Sequence, residues 1–284
     1  MSESNRLRIA VLGAGNMGSA LLGGILKSGL AGHDSVRATV RSDEHAVEQA
    51  KRFGVTVTAG ANLRAAENAD ILILSVKPST MTFVLEEIRF ALTEDKVIIS
   101  VAAAFPISLI ENVLGRRIPI FRAMPNIPVI VEEGATAVAH NGLVNRAQIE
   151  LVESIFRGVG AVCWVDEDQL HAVTALSGSG PAYIYMVIEA LINGGLKMGL
   201  SHEVSTRLAE QTVLGAAKLV RDTQLHPAIL RDQVITPGGV TISAVHELER
   251  HGLRAMLISA IETATRHSRH LTDSLVEKWS NHDG

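Results

Sequence analysis

The sequence predicts a two-domain α/β protein, with a doubly wound N-terminal domain followed by an all-α C-terminal domain. Over residues 1–165, short apolar runs alternate with helical patterns, which indicates parallel strands joined by crossover helices. Residues 166–276 carry helical patterns and no convincing strand pattern. A length of 284 residues is enough for two cores of ordinary size. Residues 277–284 are polar and are expected to form a frayed tail.

In the first domain, apolar runs predict strands at residues 7–12, 36–40, 55–57, 69–76 and 97–101, with possible additions to the sheet at 118–122, 135–139 and 162–165. Helical periodicity predicts helices at 16–28, 43–53, 80–92 and 146–156. Uniformly apolar strands are typical of a parallel sheet that is covered on both faces. The single cysteine, Cys163, lies in the last run and is expected to be buried.

The second domain is predicted to consist of helices at residues 169–176, 182–194, 203–223, 241–251 and 253–275. Small residues such as Gly194, Gly195 and Gly215 permit close approach of helices. An all-α domain of this composition often completes its core with a second copy of itself, so we expect a homodimer or a higher homo-oligomer. A monomer with tight internal packing is the alternative.

Composition restricts the classes of partner. A net charge of −4 disfavours nucleic acid, because phosphate contacts need a basic surface. The N-terminus has no apolar signal region, and the longest uncharged stretch, 172–188, is interrupted by Ser-Gly-Ser-Gly-Pro, so no membrane span is predicted. A single cysteine fits the reducing cytoplasm. The 11 histidines do not combine with carboxylates or cysteine at ligand spacing, so no metal site is predicted.

A glycine motif follows the first predicted strand and opens the first helix. It reads Gly13-Ala14-Gly15-Asn16-Met17-Gly18, a G-x-G-x-x-G pattern. The first glycine allows a tight turn, the second lets a pyrophosphate approach the backbone, and the third lets the helix pack on the strand. In this position the motif predicts a Rossmann-type dinucleotide site, with Gly13, Gly15, Asn16, Met17 and Gly18 in contact with the cofactor.

The residues after the second predicted strand favour NADPH over NADH. An NAD site would place Asp or Glu there, whereas this chain has Arg41 and Ser42, which can pair with a 2′-phosphate. Asp43 and Glu44 follow and are the alternative carboxylates, although they also suit the first turn of the next helix. We therefore expect NADPH, with NADH possible.

A second glycine-containing loop, Thr236-Pro237-Gly238-Gly239, precedes a helical pattern late in the chain. Small residues let a ligand approach the backbone, and the helix that follows supplies unpaired N–H groups and a positive dipole end. Such a place suits a carboxylate, and Thr241 adds a hydroxyl that can donate and accept. The alternative is a plain loop that begins a helix.

The segment that contains Asp232, Pro237, Gly238, Gly239 and Thr241 resembles the signature of the pyrroline-5-carboxylate reductase family, which catalyses the last step of proline synthesis. A second resemblance covers residues 176–183, Leu-Ser-Gly-Ser-Gly-Pro-Ala-Tyr, which would otherwise be a plain kink. The similarity extends over about residues 7–275. One departure is Gln224, where some members carry a glutamate.

The resemblance implies further cofactor contacts at the ends of the predicted strands. They are expected from Val76, Lys77 and Pro78, from Asn62, from Ala102 and Ala103, whose small side chains leave room for the nicotinamide, and from Asn126, near the nicotinamide ring. Lys77 would otherwise be a solvated loop lysine, and Asn62 would otherwise cap a helix.

The function that the resemblance implies is NAD(P)H-dependent reduction of L-1-pyrroline-5-carboxylate to L-proline. We expect Pro237, Gly238 and Gly239 to bind the substrate, with main-chain N–H groups on its carboxylate, and Thr241 to act on the ring nitrogen as the catalytic residue. Two alternatives remain. Another NADP-dependent imine or β-hydroxyacid reductase would use a lysine of the second domain, and a non-catalytic NADP-binding regulatory protein would not need the late loop.

Overall fold

The computed structural model describes residues 7–281, which form two compact units. The first unit comprises the chain up to Gly178 together with the chain from Ala264 onward, and the second is Ser179–Thr263. The predicted domain boundaries at residues 165 and 276 follow secondary-structure content, whereas these units follow packing, so those boundaries stay a prediction.

The first unit is built on an eight-stranded sheet with the order β3-β2-β1-β4-β5-β6-β7-β8. Its strands are β1 (Ile9–Leu12), β2 (Val36–Val40), β3 (Thr56–Ala59), β4 (Ile71–Leu74), β5 (Val97–Ser100), β6 (Ile120–Met124), β7 (Gly134–His140) and β8 (Gly160–Trp164). Every pairing is parallel except that of β6 with β7. The predicted α/β Rossmann-like fold is confirmed, with one antiparallel step that the sequence did not predict.

Burial along the strands follows their place in the sheet. Every residue of β1, β4 and β5 is buried, as uniformly apolar central strands require. The outermost strands, β3 and β8, alternate between more and less exposed positions. In β8, Val162 and Trp164 pack against the core while Cys163 is exposed. The prediction that Cys163 is buried is therefore wrong, because an edge strand is covered on one face only.

Seven α-helices within residues 7–178 cover the sheet, with ends set by local sequence. They are α1 (Asn16–Lys27), α2 (Asp43–Phe53), α3 (Asn62–Glu67), α4 (Pro78–Ile88), α5 (Ile107–Leu114), α6 (Arg146–Arg157) and α7 (Leu170–Val173). Ser42 caps α2, Asn145 forms a capping box on α6, and Gly54 ends α2 in the left-handed conformation. The sequence patterns did not predict α3 or α5.

The second unit is helical, as predicted, and buries little of its own apolar surface. Its helices are α8 (Gly180–Lys197), α9 (His202–Thr223), α10 (Pro227–Val234), α11 (Val240–Arg250) and the first part of α12 (Leu253–Ser280). No residue of α8 or α11 is buried. Large apolar side chains such as Met186, Leu214 and Met256 are more than half exposed. Much of the apolar surface of this unit is therefore exposed.

The segment with Ser-Gly-Ser-Gly-Pro is an irregular part of a long helical stretch. After α7 the backbone forms a π turn, Thr174–Gly178, bends at Ser179 and continues as α8 with Pro181 in its first turn. The predicted kink is confirmed. Among the described residues, one helical stretch, Glu167–Lys197, is long and apolar enough to cross a membrane by length and composition alone, a test that core helices of soluble proteins also pass.

Candidate active site

The glycine loop after β1 has the geometry that a dinucleotide site needs. The N–H groups of Gly13 and Ala14 donate to the Thr39 carbonyl of β2, at 3.1 and 2.8 Å. Gly13 has φ +92°, which favours glycine. A Cβ on Gly18 would lie 2.4 Å from the Gly13 carbonyl oxygen, whereas a Cβ on Gly15 would meet nothing within 4 Å. Thus Gly13 makes the turn, Gly18 lets α1 approach the strand, and Gly15 leaves space at the surface.

The first turn of α1 presents donors to that space. The N–H groups of Asn16, Met17 and Gly18 precede the first hydrogen bond that the α1 ladder closes, from Ser19 N–H to the Gly15 carbonyl at 2.8 Å. No acidic residue occupies this turn, so the positive end of the helix dipole is not neutralised there. Unpaired helical N–H groups beside an open glycine fit the pyrophosphate of a dinucleotide.

The tip of β2 carries groups suited to a phosphate. Arg41 is exposed, and Ser42 accepts a hydrogen bond from His45 N–H at 3.4 Å while keeping its own hydroxyl hydrogen to donate. Asp43 and Glu44 lie in the first turn of α2, where acidic residues stabilise the positive end of the helix dipole. No sequence pattern indicated His45, whose Nε2 lies 3.3 Å from the Ala14 carbonyl oxygen and so joins α2 to the glycine loop.

Asn62 is tied to the same tip. Its Oδ1 accepts from the Thr39 hydroxyl at 2.7 Å, and its Nδ2 donates to Glu87 of α4 at 2.8 Å. The residue that caps α3 is Ala61. The interpretation of Asn62 as a helix cap is therefore wrong, because its amide is used in bonds to a strand and to another helix.

The remaining predicted cofactor residues follow β4, β5 and β6. Val76 is partly buried, Lys77 is the residue before α4, and Pro78 is its first residue. Ala102 is buried, and it is followed closely by Ala104, a non-glycine residue with φ +61°. Because these strands are parallel to β1, the predicted residues all lie at the carboxyl edge of the sheet, where open α/β sheets bind ligands.

A partly buried ion pair supports this edge. Arg122 on β6 is 4% exposed and donates to Glu167 Oε1 at 3.1 Å, and the same oxygen accepts from Ile107 N–H, at the start of α5, at 2.8 Å. Burial lowers the pKa of Arg122, an effect that Glu167 opposes. His171 has a lowered pKa through burial and the nearby Arg122. Within residues 7–281, no group of three or more His, Cys, Asp or Glu side chains could hold a metal ion.

The late glycine loop is a tight turn that begins α11. Gly239 N–H donates to the Thr236 carbonyl at 3.0 Å, and Gly238 has φ +69°, as in a type II turn with Pro237 and Gly238 at its centre. A Cβ on Gly239 would lie 2.3 Å from the Thr236 hydroxyl oxygen. Because the turn uses the Gly239 N–H, the amides that remain at the start of α11 are those of Val240, Thr241 and Ile242.

Comparisons with known proteins agree with this geometry. Residues 167–271 match a family profile described as "Pyrroline-5-carboxylate reductase dimerisation", and residues 8–104 match one described as "NADP oxidoreductase coenzyme F420-dependent". Pyrroline-5-carboxylate reductase of Pseudomonas aeruginosa is 37% identical over 269 residues, which cover 94% of this chain and 98% of the relative.

Solved structures show the same similarity over the whole chain. A pyrroline-5-carboxylate reductase from Coxiella burnetii has a TM-score of 0.89 and 39% identity, covering 94% of this chain and 99% of that one. The Plasmodium falciparum pyrroline carboxylate reductase, solved with NADP bound, has a TM-score of 0.84 and 30% identity, covering 95% and 100%. The chain belongs to the pyrroline-5-carboxylate reductase family of oxidoreductases.

Proposed function

We propose that this protein reduces L-1-pyrroline-5-carboxylate to L-proline, with NADPH as the preferred donor and NADH as a weaker one. The proposal rests on two helices, α1 and α11, each of which begins at a glycine-containing loop. One, at Gly13–Gly18, suits a pyrophosphate, and the other, at Gly238 and Gly239, suits a small carboxylate.

The chemistry needs positioning more than acid or base strength. NADPH, when bound, supplies a hydride from its nicotinamide C4 to the imine carbon. The residues must hold the two carbons within roughly 3–3.5 Å of each other. The glycine loop and the first turn of α1 would bind the pyrophosphate, while Arg41 and Ser42 would bind the 2′-phosphate. Their common effect is to fix the cofactor at the carboxyl edge of the sheet.

At the second loop, the N–H groups of Val240, Thr241 and Ile242 would bind the substrate carboxylate. The Pro237–Gly239 turn keeps bulky side chains away, so that the anion can reach these amides. The Thr241 side chain would hydrogen-bond the ring nitrogen and orient its proton. An unperturbed hydroxyl is a poor acid, so orientation is the role that the chemistry supports.

The test compares Thr241→Val with Thr241→Ser. The valine variant keeps the shape but loses the hydroxyl, and we expect its kcat to fall by about 10-fold or more, since general acid–base and orienting groups contribute at this scale. The affinity for NADPH should stay unchanged, and the serine variant should keep most of its activity. Normal turnover of pyrroline-5-carboxylate by Thr241→Val would remove this residue from the mechanism.

The alternatives are separated by one assay of NADPH oxidation, followed by absorbance. Oxidation only with the five-membered imine supports the proposal, and oxidation with six-membered imines or with β-keto acids supports a different reductase. Binding of NADPH without oxidation in any mixture would indicate a regulatory protein. The pattern of NADPH oxidation therefore distinguishes the proposed reductase from another reductase and from a regulatory protein.

The partner that we propose for the helical unit is a second copy of this chain. Its exposed apolar side chains and the match of residues 167–271 to a dimerisation profile support a homodimer or a higher homo-oligomer. We propose no nucleic-acid partner, given the net charge of −4, and no membrane partner, because Ser-Gly-Ser-Gly-Pro interrupts the uncharged stretch 172–188. The single cysteine supports a cytoplasmic location.

A further inference from the structure

Asn126 lies two residues beyond the end of β6 and joins two segments that are far apart in sequence. It is 8% exposed. Its Nδ2 donates to the Ser177 carbonyl at 3.0 Å, and its Oδ1 accepts from Ala135 N–H, at the start of β7, at 2.8 Å. The side chain therefore ties the loop after β6 to the π turn Thr174–Gly178 and to the neighbouring strand.

The orientation of this amide is fixed by its partners. A main-chain N–H can only donate and a main-chain carbonyl can only accept, so the oxygen of Asn126 must face Ala135 and the nitrogen must face Ser177. Asn126 itself is buried, and a buried polar group without a partner is costly. The side-chain amide of Asn126, which we expected to contact the cofactor, is hydrogen-bonded to two protein groups, and a direct cofactor contact stays a prediction.

A second contact joins the same two segments. A Cβ placed on Gly178 would lie 2.8 Å from Met124 Cε, so the π turn is packed closely on the last residue of β6. Met124 lies at the carboxyl edge, level with Ala102, since Ser100 pairs with Arg122 two residues earlier on each strand. π turns are rare and occur frequently at functional sites. This joint therefore adjoins the residues proposed to face the nicotinamide.

We propose that Asn126 is a positioning residue for hydride transfer, which locks the loop after β6 to the π turn beside the nicotinamide. The inference rests on the proposed reductase activity. With the lock in place, the nicotinamide side of the site is rigid and the reacting carbons stay within transfer distance. Without it, the cofactor still binds through the glycine loop, but the geometry of the transfer step is lost.

The experiment uses Asn126→Asp in the full-length protein, with NADPH and pyrroline-5-carboxylate. The aspartate keeps the acceptor for Ala135 N–H but places an oxygen against the Ser177 carbonyl. We expect kcat to fall by about 10-fold or more, while the dissociation constant of NADPH changes by less than about 3-fold, since misplacement of reacting groups acts on the chemical step. The deuterium isotope effect with NADPH labelled at the transferred hydrogen should be at least as large as in the wild type.

The matched control is Asn141→Asp, at the opposite end of the β6–β7 pair. Asn141 accepts from Ile120 N–H at 3.3 Å and donates to the Ile118 carbonyl at 2.8 Å and to Glu111 at 2.9 Å. This substitution also places an oxygen against buried acceptors, so it should lower the melting temperature. It lies away from the carboxyl edge, and we expect its kcat to stay within about 2-fold of the wild type.

The outcomes separate the inference from the proposed function. A wild-type protein that does not oxidise NADPH with this imine would overturn both. An active wild type with an Asn126→Asp variant of equal kcat, or with equal losses in both aspartate variants, would overturn the inference alone. If Asn126→Asp does not fold, Gly178→Ala replaces it, because the added methyl group displaces Met124 and should give the same selective loss of kcat.

Discussion

At the scale of single residues, Arg41 is the cation best placed to distinguish the two nicotinamide cofactors. It directly follows β2, is exposed, and takes part in none of the ion pairs found among residues 7–281. Ser42 beside it retains a hydroxyl hydrogen. A guanidinium and a hydroxyl at this tip suit a phosphate better than a ribose diol.

We therefore predict that Arg41→Ala weakens NADPH and leaves NADH almost unchanged. Loss of a hydrogen bond to a charged group costs about 1.5–3 kcal/mol, which corresponds to a rise of roughly 10-fold or more in KM for NADPH. Steady-state kinetics with both cofactors measure the ratio. Arg37→Ala, an exposed arginine at the other end of β2, is the control and should change neither value. Equal losses for both cofactors would contradict phosphate pairing.

His171 is the residue that links stability to pH near neutrality. Its Nδ1 lies 3.0 Å from the Ser268 hydroxyl. Burial lowers its pKa, as do Arg122 and Arg269, against the opposing effects of Asp168 and Asp273. The folded protein thus disfavours the charged ring, and the unfolded chain takes up the proton first as the pH falls.

The expected consequence is a loss of stability as the pH drops through about 6.5, the ordinary pKa of histidine. His171→Gln should reduce this loss between about pH 8 and pH 5.5, which thermal melts of both proteins at each pH can measure. If stability depends on pH in His171→Gln as it does in the wild type, the effect belongs to another group.

Asp70, whose pKa is lowered by its hydrogen bonds with Arg8, affects stability in a different pH range. Its contribution is present above about pH 3.9 and is lost as the pH falls through its folded pKa.

At the scale of elements, the glycine loop separates folding from binding within six residues. Gly18 faces the backbone of Gly13, whereas Gly15 faces open space. A side chain at position 18 would clash with the backbone, whereas a side chain at position 15 would block the approach of the cofactor. Substitution by alanine should therefore affect stability at position 18 and cofactor binding at position 15.

We predict that Gly18→Ala destabilises the protein by about 1–3 kcal/mol, as overpacking against a fixed backbone does. Gly15→Ala should melt like the wild type but bind NADPH and NADH more weakly by a similar factor, because the methyl group occupies the approach to the backbone. Thermal melts and cofactor titrations distinguish the two. Normal cofactor affinity in Gly15→Ala would place the pyrophosphate elsewhere.

Sequence patterns predicted the elements whose signals are local and missed contacts made over long separations. The glycine motif, the strands and Thr241 were all recognisable from neighbouring residues. The bonds from Asn62 to Thr39 and from Asn126 to Ser177 span 23 and 51 positions, and no periodicity encodes them. The Gly239 N–H was expected to bind substrate because the sequence cannot show that the turn already uses it. The position of Asn126 after β6 was therefore predictable, whereas its hydrogen-bond partners were not.

At the scale of the whole molecule, the helical unit depends on a second chain. Leu214 on α9 is 59% exposed, and many other large apolar side chains of this unit are exposed as well. A hydrophobic surface of this extent is unusual on a monomer and typical of an interface.

We predict that Leu214→Glu shifts the protein from an oligomer to a monomer and lowers its activity. A charge buried at an interface without a partner costs several kcal/mol. Phe90→Glu is the matched control, since Phe90 is 76% exposed but lies in the first unit, and it should leave the mass unchanged. Light scattering coupled to gel filtration measures both. A Leu214→Glu oligomer of native mass would exclude this face from the interface.

The last helix belongs to the first unit at its end, where Leu275 and Trp279 pack on the cluster around α4 and α5. The ribosome makes these residues after every part of the second unit. A nascent chain therefore cannot complete its nucleotide-binding half until the helical unit has also been synthesised. Loss of the codons for Leu275 and Trp279 would thus damage the half that is encoded first.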